Sequence, residues 1–556
     1  MWFLLSIGMS KTRASDEFLQ LRAELAAAHT RAFEAEAEAA RVRAINADLL
    51  ARNAHLELMN EQMRRDKYGV SSESSRRLLS QMELVFEELE ATATADEILA
   101  ALAAAKTTTV TAFTRKRTTR RDFAAHLPRE RVVIAAPEQC PCCGSDNLSH
   151  LPPTVTETFE RIPARHKVIQ TVREKVSCRA CEKITQPPAP FHVTPRGMFG
   201  PNFLANLVFQ KFGLHQPLNS QRDRLEAEGI SLSLSTLADQ IGALSVAVKP
   251  LFALIETHVL AAERLHGDDT TVPRLAKYKT DIARLWNYVR DDRPFGDPAP
   301  PAVLYYYSRN RKGEHPRAHL AHYSGILQVD RYAGFNDMFK SGWADKPMTR
   351  ANCWAHSRRK FFELADIDTQ LKRKGKDAKL IISPLAFEAV QRIDLIFDIE
   401  REINGRAADV RLAARRERIA PLVTELESWM REQLKTLSKH DPVAKAMRYM
   451  FNDWQGFTAF LDDGRICLTN NASEREMRRI CRGRKAWLFV GSDRGGERAA
   501  MMYTLLGTAS LNDVDPLAWL TDVLTRIADL PQSKLDELLP WTWKALQQTE
   551  PMEMAA

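Results

Sequence analysis

Residues 15–66 contain no glycine or proline and are rich in Ala, Glu, Arg and Leu, a helical composition. Ile45, Leu49, Leu56, Met59 and Met63 keep three-four spacing, with Arg52 interrupting, and Asn46, Asn53 and Asn60 repeat at seven. The pattern predicts either a coiled coil for self-association or a lone amphipathic helix packed on its own chain. Ahead of it, "MWFLLSIGM" is apolar but short and lacks a basic flank or cleavage signal. Residues 1–14 are therefore expected to be a disordered or misassigned start, with Met9 an alternative initiator. Residues 67–125 mix polar and alanine-rich stretches and reach "FTRKRTTRR", which reads as a linker. Its cations Arg115, Lys116, Arg117, Arg120 and Arg121 suit phosphate neutralisation or simply a solvated segment.

Farther on, "HKVIQTVREKVSC" alternates as a strand does, inside a segment bounded at 126–194. Residues 195–262 read as helices. A break at Gly229 and Ser235 as a possible N-cap give a helix-turn-helix-like pair, although two helices joined by glycine are common without DNA. After Glu263 the period changes to that of strands. "RLHGDDTTVPRL", "DIARLWNYVRDD" and "PAVLYYYSRN" are three, "GEHPRAHLAHY" a short helix, and "GILQVDRYAGFN" a strand ending in Asp330. Residues 366–450 return to charged helix, and 506–556 form a C-terminal helical segment.

Composition changes this picture in two places. The 556 residues exceed one hydrophobic core, so several domains are expected. A formal charge of +8 leans toward a polyanionic partner, and no apolar run approaches the roughly 20 residues of a membrane span. Eight cysteines are too few for a disulfide framework in this length, but five crowd between Cys140 and Cys181. Cys140 with Cys143 and Cys178 with Cys181 form two C-x-x-C knuckles, the ligand pattern of a structural zinc ribbon. Cys142 is left over, and Cys353, Cys467 and Cys481 read as packed core thiols.

The order of three antiparallel strands, a helix and a strand tipped by an acid is that of the ribonuclease H fold. The chain is thus expected to be multidomain and mainly α, with an α/β ribonuclease H-like catalytic core (263–505) interrupted by a helical insertion (366–450). Asp268 and Asp330 would then lie on neighbouring strands, with Glu474 on a later helix. Three converging carboxylates repel one another and call for two divalent ions about 3.5–4 Å apart. Hard oxygen ligands suit Mg²⁺ or Mn²⁺. Arg475, Arg478, Arg479 and Arg482 recur at helical spacing after Glu474 and fit a DNA backbone, although Glu474 with Arg478 also reads as a plain i,i+4 pair.

"LHGDDT" (265–270), "LQVDRYAGFN" (327–336), "CWAHSRRKFFEL" (353–364), "LTNNASEREMRR" (468–479), "GRKAWLFVGSDRGGERAA" (483–500) and the segment 512–543 occur in this order. With "KYGVSSE" (67–73), the paired knuckles and the helices that follow, the chain resembles the DDE transposases of the bacterial insertion-sequence group sixty-six. The resemblance implies a catalytic triad of Asp268, Asp330 and Glu474. This chain has Asp268-Asp269 where the family reads Asp-Glu, so Asp269 is a rival ligand. His356, Arg358 and Arg359 are candidates for ordering a phosphate, with a packed core histidine the alternative for His356. Trp487, after Arg484 and Lys485, could stack on an unpaired base near a cleaved end, but a buried strand tryptophan is the preferred reading. Asn470 and Asn471 are expected to cap the Glu474 helix, and Gly495 and Gly496 to permit a tight turn.

The expected function is cleavage at element ends and transfer of 3′-hydroxyls to target DNA by a cytoplasmic homo-oligomer. It would bind terminal inverted repeats and use accessory proteins of the same element, the latter on the resemblance alone. The competing readings are a zinc-ribbon and helix-turn-helix regulator without catalysis, and a metal nuclease without strand transfer.

Overall fold

The computed structural model describes residues 2–68, 73–114, 123, 128–162, 165–194, 198–276, 279–340, 343, 348–365, 383–483, 486–487 and 490–553. Side chains are described for these residues outside 2–19, 61–81, 83–84, 87, 161–162, 165 and 549–553. The chain is mainly helical and divides into two compact units. No single helix among the described residues is long and apolar enough to cross a membrane.

The first unit opens with α1 (Trp2–Tyr68) and α2 (Glu73–Ala104). Two expectations change here. The segment 1–14 is not set apart, because α1 already runs from Trp2. The supposed linker 67–125 contains a 32-residue helix. Its alanines, which look featureless in sequence, are the contact surface. Ala40, Ala44 and Ala100 form one cluster, and Ala47, Ala51 and Ala93 another. Small side chains let two helix backbones approach closely. The predicted seam points elsewhere, since Leu49, Leu56 and Met59 are all exposed. The helix therefore packs on its own chain through alanines and leaves the leucine stripe outward. The basic cluster at 115–121 lies outside the described residues.

A sheet follows, built from β1 (Arg129–Ile134), β2 (Leu148–Ile162), β3 (Arg165–Cys178) and β4 (Ile184–Thr185), in the order β1-β3-β2 with β4 beside β3. The antiparallel β2–β3 pair places Cys178 opposite Leu148 at one end of the hairpin. Helices α3 (Pro201–Val208), α4 (Leu218–Ala227) and α5 (Leu234–Ala247) follow in this unit, which also takes in Leu520–Leu530 from near the end of the chain. Gly229 makes the turn at φ +78°, as its lack of a Cβ favours. The cap of α5 is Ser233, which accepts from Thr236 N, rather than Ser235. Residues Leu237 to Ser245 of α5 are buried, and Gly242 lies so close to α2 that an added Cβ would meet Ala91 O at 2.0 Å. The body of the second helix of the pair is thus covered by α2, which leaves its first turn, at Ser233, Ser235 and Thr236, the accessible part. Gly242→Ala should part α5 from α2 at a cost of about 1–3 kcal/mol. Faster protease cleavage within α2 would report it; unchanged digestion would contradict this packing.

The second unit contains α6 (Lys249–Leu260) and a five-stranded sheet of β5 (Arg264–Ala276), β6 (Lys279–Arg290), β7 (Ala302–Ser308), β8 (Ile326–Val329) and β9 (Thr349–Asn352). The order is β7-β6-β5-β8-β9. The first three strands pair antiparallel, and β8 and β9 run parallel to β5. Helix α7 (Glu314–His319) links β7 to β8, and α8 (Trp354–Ala365) follows β9.

The expected helical insertion contains α9 (Pro384–Glu402), α10 (Ala408–Ala414), α11 (Ala420–Thr436) and α12 (Pro442–Phe451), followed by the short α13 (Trp454–Thr458). It shares one core with α8, in which Trp354 and Phe361 pack among Ile393, Ile419, Leu426 and Met447. Arg415, fully buried in the π-turn between α10 and α11, pairs with Glu400 and donates to the carbonyls of Phe460, Asp463 and Ile466. The insertion thereby braces the stretch that leads into α14 (Asn471–Gly483). Helices α15 (Asp493–Leu511), α16 (Pro516–Arg526) and α17 (Pro540–Glu553) end the chain.

Candidate metal-dependent nucleic-acid site

Strand alternation separates the two adjacent aspartates. Asp268 lies opposite Asn287 and Asp269 opposite Trp286, on opposite faces of the sheet. On the Asp269 face, both carboxylate oxygens are taken. Oδ2 accepts from Arg284 at 3.0 Å and Oδ1 from Arg311 at 2.7 Å, leaving the side chain 1% exposed. Those two ion pairs separate Asp269 from Asp268 in what each has left to bind.

On the Asp268 face lies α14. Asn287 donates to Ser473 O at 3.0 Å and also receives the Ser473 hydroxyl. The loop before α14 is stitched to the central strands. Gln328 of β8 donates to Thr469 O and accepts from Cys467 N, while Asn470 donates to Gly267 O at 2.8 Å. Asn470 is fully buried, and its oxygen faces His266 at 3.1 Å. Its side chain thus anchors the helix to β5 instead of capping it, and Asn471 is exposed. This docking brings Glu474, in the first turn of α14, to the acid-bearing strands.

Asp330 follows β8 directly, accepts from Tyr332 N at 3.1 Å and is 29% exposed. Arg311 reaches it at 3.9 Å while lying 3.9 Å over the Tyr332 ring. The Asp268 carboxyl is pushed up to about 7, first by burial, then by the charges of Asp330, Asp269 and Glu474. Glu474 Oε1 is buried with no hydrogen-bond partner and stands 3.7 Å from His356 Nε2. Asp268 thus feels the charges of Asp330 and Glu474, and of the three only Asp330 has an arginine within ion-pair distance among the described residues, the Arg311 it shares with Asp269. Carboxylate oxygens are the ligand type of a hard divalent ion, but among the described residues Glu474 comes within 4.8 Å of Cys353 and His356 as a three-ligand cluster and the three acids do not form one.

The basic candidates divide. Arg478 and Arg482 are exposed, and so is Arg475, 3.6 Å from Asp291. Arg479 pairs at 3.1 Å with Glu476 of its own helix. Arg358 turns to the insertion, where it forks onto Asp394 at 2.5 and 2.9 Å, so it is withdrawn from the acids; Arg359 is exposed. Arg484 and Lys485 lie outside the described residues. Trp487 is half-buried, and beyond it Val490 bonds to Pro273 and Leu275 of β5. Gly496 serves packing rather than a turn, because a Cβ there would strike the Tyr307 ring at 2.3 Å. Arg284 and Arg311 were missed in the sequence, since nothing local links them to Asp269.

A second metal centre belongs to the first unit. Cys140, Cys143, Cys178 and Cys181 converge, with Sγ–Sγ separations of 3.6 and 3.7 Å. Four thiolates at ~2.3 Å from one zinc stand about 3.8 Å apart, so the set fits. Backbone N–H donation from Cys181 leads in bringing the Cys178 thiol down to about 6, against the burial that raises it. Gly144 and Glu182, at φ +71° and +58°, close the two knuckles. Cys142 stays outside the cluster and exposed.

Comparison with known proteins agrees with this layout. Residues 196–498 match the family described as Transposase IS66 family, and 504–541 the IS66 C-terminal element. Residues 137–182 match the zinc-finger binding domain of transposase IS66, and 55–132 the Transposase C of IS166 homeodomain. Among relatives, the uncharacterized protein y4hP of Sinorhizobium fredii is 54% identical over 492 residues, 88% of each chain. From the same organism, y4qI is 33% identical over 97% of this chain and 96% of its own. A third, y4jD, is 35% identical over 76% of this chain and 81% of its own.

Proposed function

Because the chain belongs to the IS66 transposase family, whose members act in transposition and bind DNA, we propose that it cuts element ends and joins their 3′-hydroxyls to target DNA. The observation that carries this reading is the gathering of Asp268, Asp330 and Glu474 about one buried carboxyl, which burial first and these neighbouring charges after it push up to about 7. The strand order β7-β6-β5-β8-β9 supports a ribonuclease H-like core, with Asp268 on β5 and Asp330 just past the end of the adjacent parallel β8.

In this reading Asp268, Asp330 and Glu474 would hold Mg²⁺ or Mn²⁺. Bound divalent ions activate the attacking oxygen and offset charge on the leaving one. Asn470 and Ser473 keep Glu474 in register with the strands, and Arg311 fixes the relation of Asp269 to Asp330. The exposed Arg475, Arg478 and Arg482 lie along α14 and suit backbone phosphates, which position DNA without reading its sequence. Terminal repeats and target are the DNA partners. The outward stripe of Leu49, Leu56 and Met59 is offered for self-association. The zinc module is structural.

The test uses a labelled duplex carrying the element's end and an unlabelled target. Mg²⁺-dependent joining of the labelled 3′ end to the target is expected. Cut ends that never join would reduce the protein to a nuclease. DNA binding with neither cutting nor joining would leave only a DNA-binding regulator.

A further inference from the structure

Cys353, His356 and Glu474 form a constellation that the reaction above does not use as a set. A thiol sulfur, a ring nitrogen and a carboxylate oxygen from these three lie within 4.8 Å of one another. Cys353 is 2% exposed and immediately precedes α8, so the C-x-x-H spacing places His356 in the first turn beside it. Asn470 N donates to the Cys353 sulfur at 3.3 Å, while burial, the larger effect, pushes the thiol up to about 11, so an ion bound there must displace its proton. Two polar atoms of the group, Glu474 Oε1 and His356 Nδ1, are buried without hydrogen-bond partners. The 3.7 Å between His356 Nε2 and Glu474 Oε1 is too long for a hydrogen bond. It is close to the ~3.4 Å expected of two ligands sharing one tetrahedral zinc.

We propose that Cys353, His356 and Glu474 make a second transition-metal site, which takes Zn²⁺ or a zinc-like ion such as Co²⁺ or Cd²⁺. Thiolate and imidazole select such ions, whereas Mg²⁺ prefers oxygen alone. The ion replaces the thiol proton, which passes to solvent, and leaves a fourth position open. Glu474 is then shared between two kinds of metal. An ion held by Cys353 and His356 draws that carboxylate from Asp268 and Asp330, so zinc-like ions should inhibit Mg²⁺-dependent cutting. Inhibition rests on the proposed catalytic role of Glu474; binding does not.

The experiment titrates Co²⁺ into the full chain with its four-cysteine site already filled with zinc. A further equivalent with a sulfur-to-cobalt charge-transfer band is expected. The band should vanish in Cys353→Ser and Cys353→Ala, weaken in His356→Gln and persist in Cys142→Ser. An unchanged band in both folded Cys353 variants, or none in the parent, overturns the site. A cutting assay with Mg²⁺ and added Zn²⁺ separates the two claims. Tenfold or greater inhibition in the parent, relieved in Cys353→Ser, supports both. A cobalt band without inhibition keeps the metal site and removes Glu474 from the cutting machinery.

Discussion

Asp268→Asn should lower end cutting by on the order of a thousandfold or more, while making the Mg²⁺-free protein more heat-stable at neutral pH. Both effects come from one carboxyl. Burial, followed by the charges of Asp330, Asp269 and Glu474, raises it from an ordinary 3.8 to about 7. Between pH 4 and 7 the folded chain therefore keeps a proton that the unfolded chain has lost. Stability due to this group is full below about 4, falls as pH rises through that window, and levels off above about 7. A shift of about 3 units corresponds to at most about 4 kcal/mol. Asparagine keeps the shape without the charge, so the gain in melting temperature should widen from pH 4 to 7 and then hold. Mg²⁺ should raise the melting temperature of the parent above pH 7 and that of the variant much less. The melts belong in zinc-replete buffer, so that the cysteine centre stays filled. A variant that melts no higher than the parent at pH 8 would show that these acids do not strain the fold. Retained cutting would remove Asp268 from the reaction. The matching change at Asp269 should behave differently, because it strands Arg284 and Arg311 and therefore destabilises at every pH where the acid is charged.

Removal of zinc should unfold the module that carries the four cysteines. Structural zinc contributes about 10–16 kcal/mol of apparent binding energy at neutral pH, more than a small sheet can replace. Val168, Val172 and Val176 are the main buried side chains of β3, a thin core for so long a hairpin. Chelation, or Cys178→Ser, should therefore expose residues 129–185 to protease and to amide exchange. The five-stranded sheet should keep its protection, since its core draws nothing from the cysteines. Cys142→Ser should change nothing, because that thiol stands outside the cluster. Unaltered exchange in β2 and β3 after complete loss of zinc would show that the hairpin holds by itself.

Much of this was legible beforehand. The two knuckles were readable because metal ligation fixes spacing over a few residues. The strands from β5 to β8 and the helices between Pro384 and Phe451 were readable because period and turn chemistry are local. The errors share a cause as well. Alanines in α1 and α2 carry no hydrophobic signal in sequence, yet they pack best where backbones must approach, so a helix was read as linker. The α4–α5 pair looked free because burial by α2 is a long-range event. Arg358 looked like a phosphate ligand until Asp394 was found across the insertion.

The sequence by itself determined the chemistry on offer: four thiols in two knuckles, a pair of acids within one strand and another at the tip of a second, and arginines at helical spacing after Glu474. Only the tertiary structure decided which of these groups are free to act. Asp268 and Asp269 are neighbours of the same type, and alternation across a pleated sheet sends one to α14 and the other to Arg284 and Arg311. The bare oxygen of Glu474 and its proximity to Cys353 and His356 likewise depend on a loop anchored by Asn470. Availability is a property of three-dimensional neighbours, and residues far apart in the chain supply them.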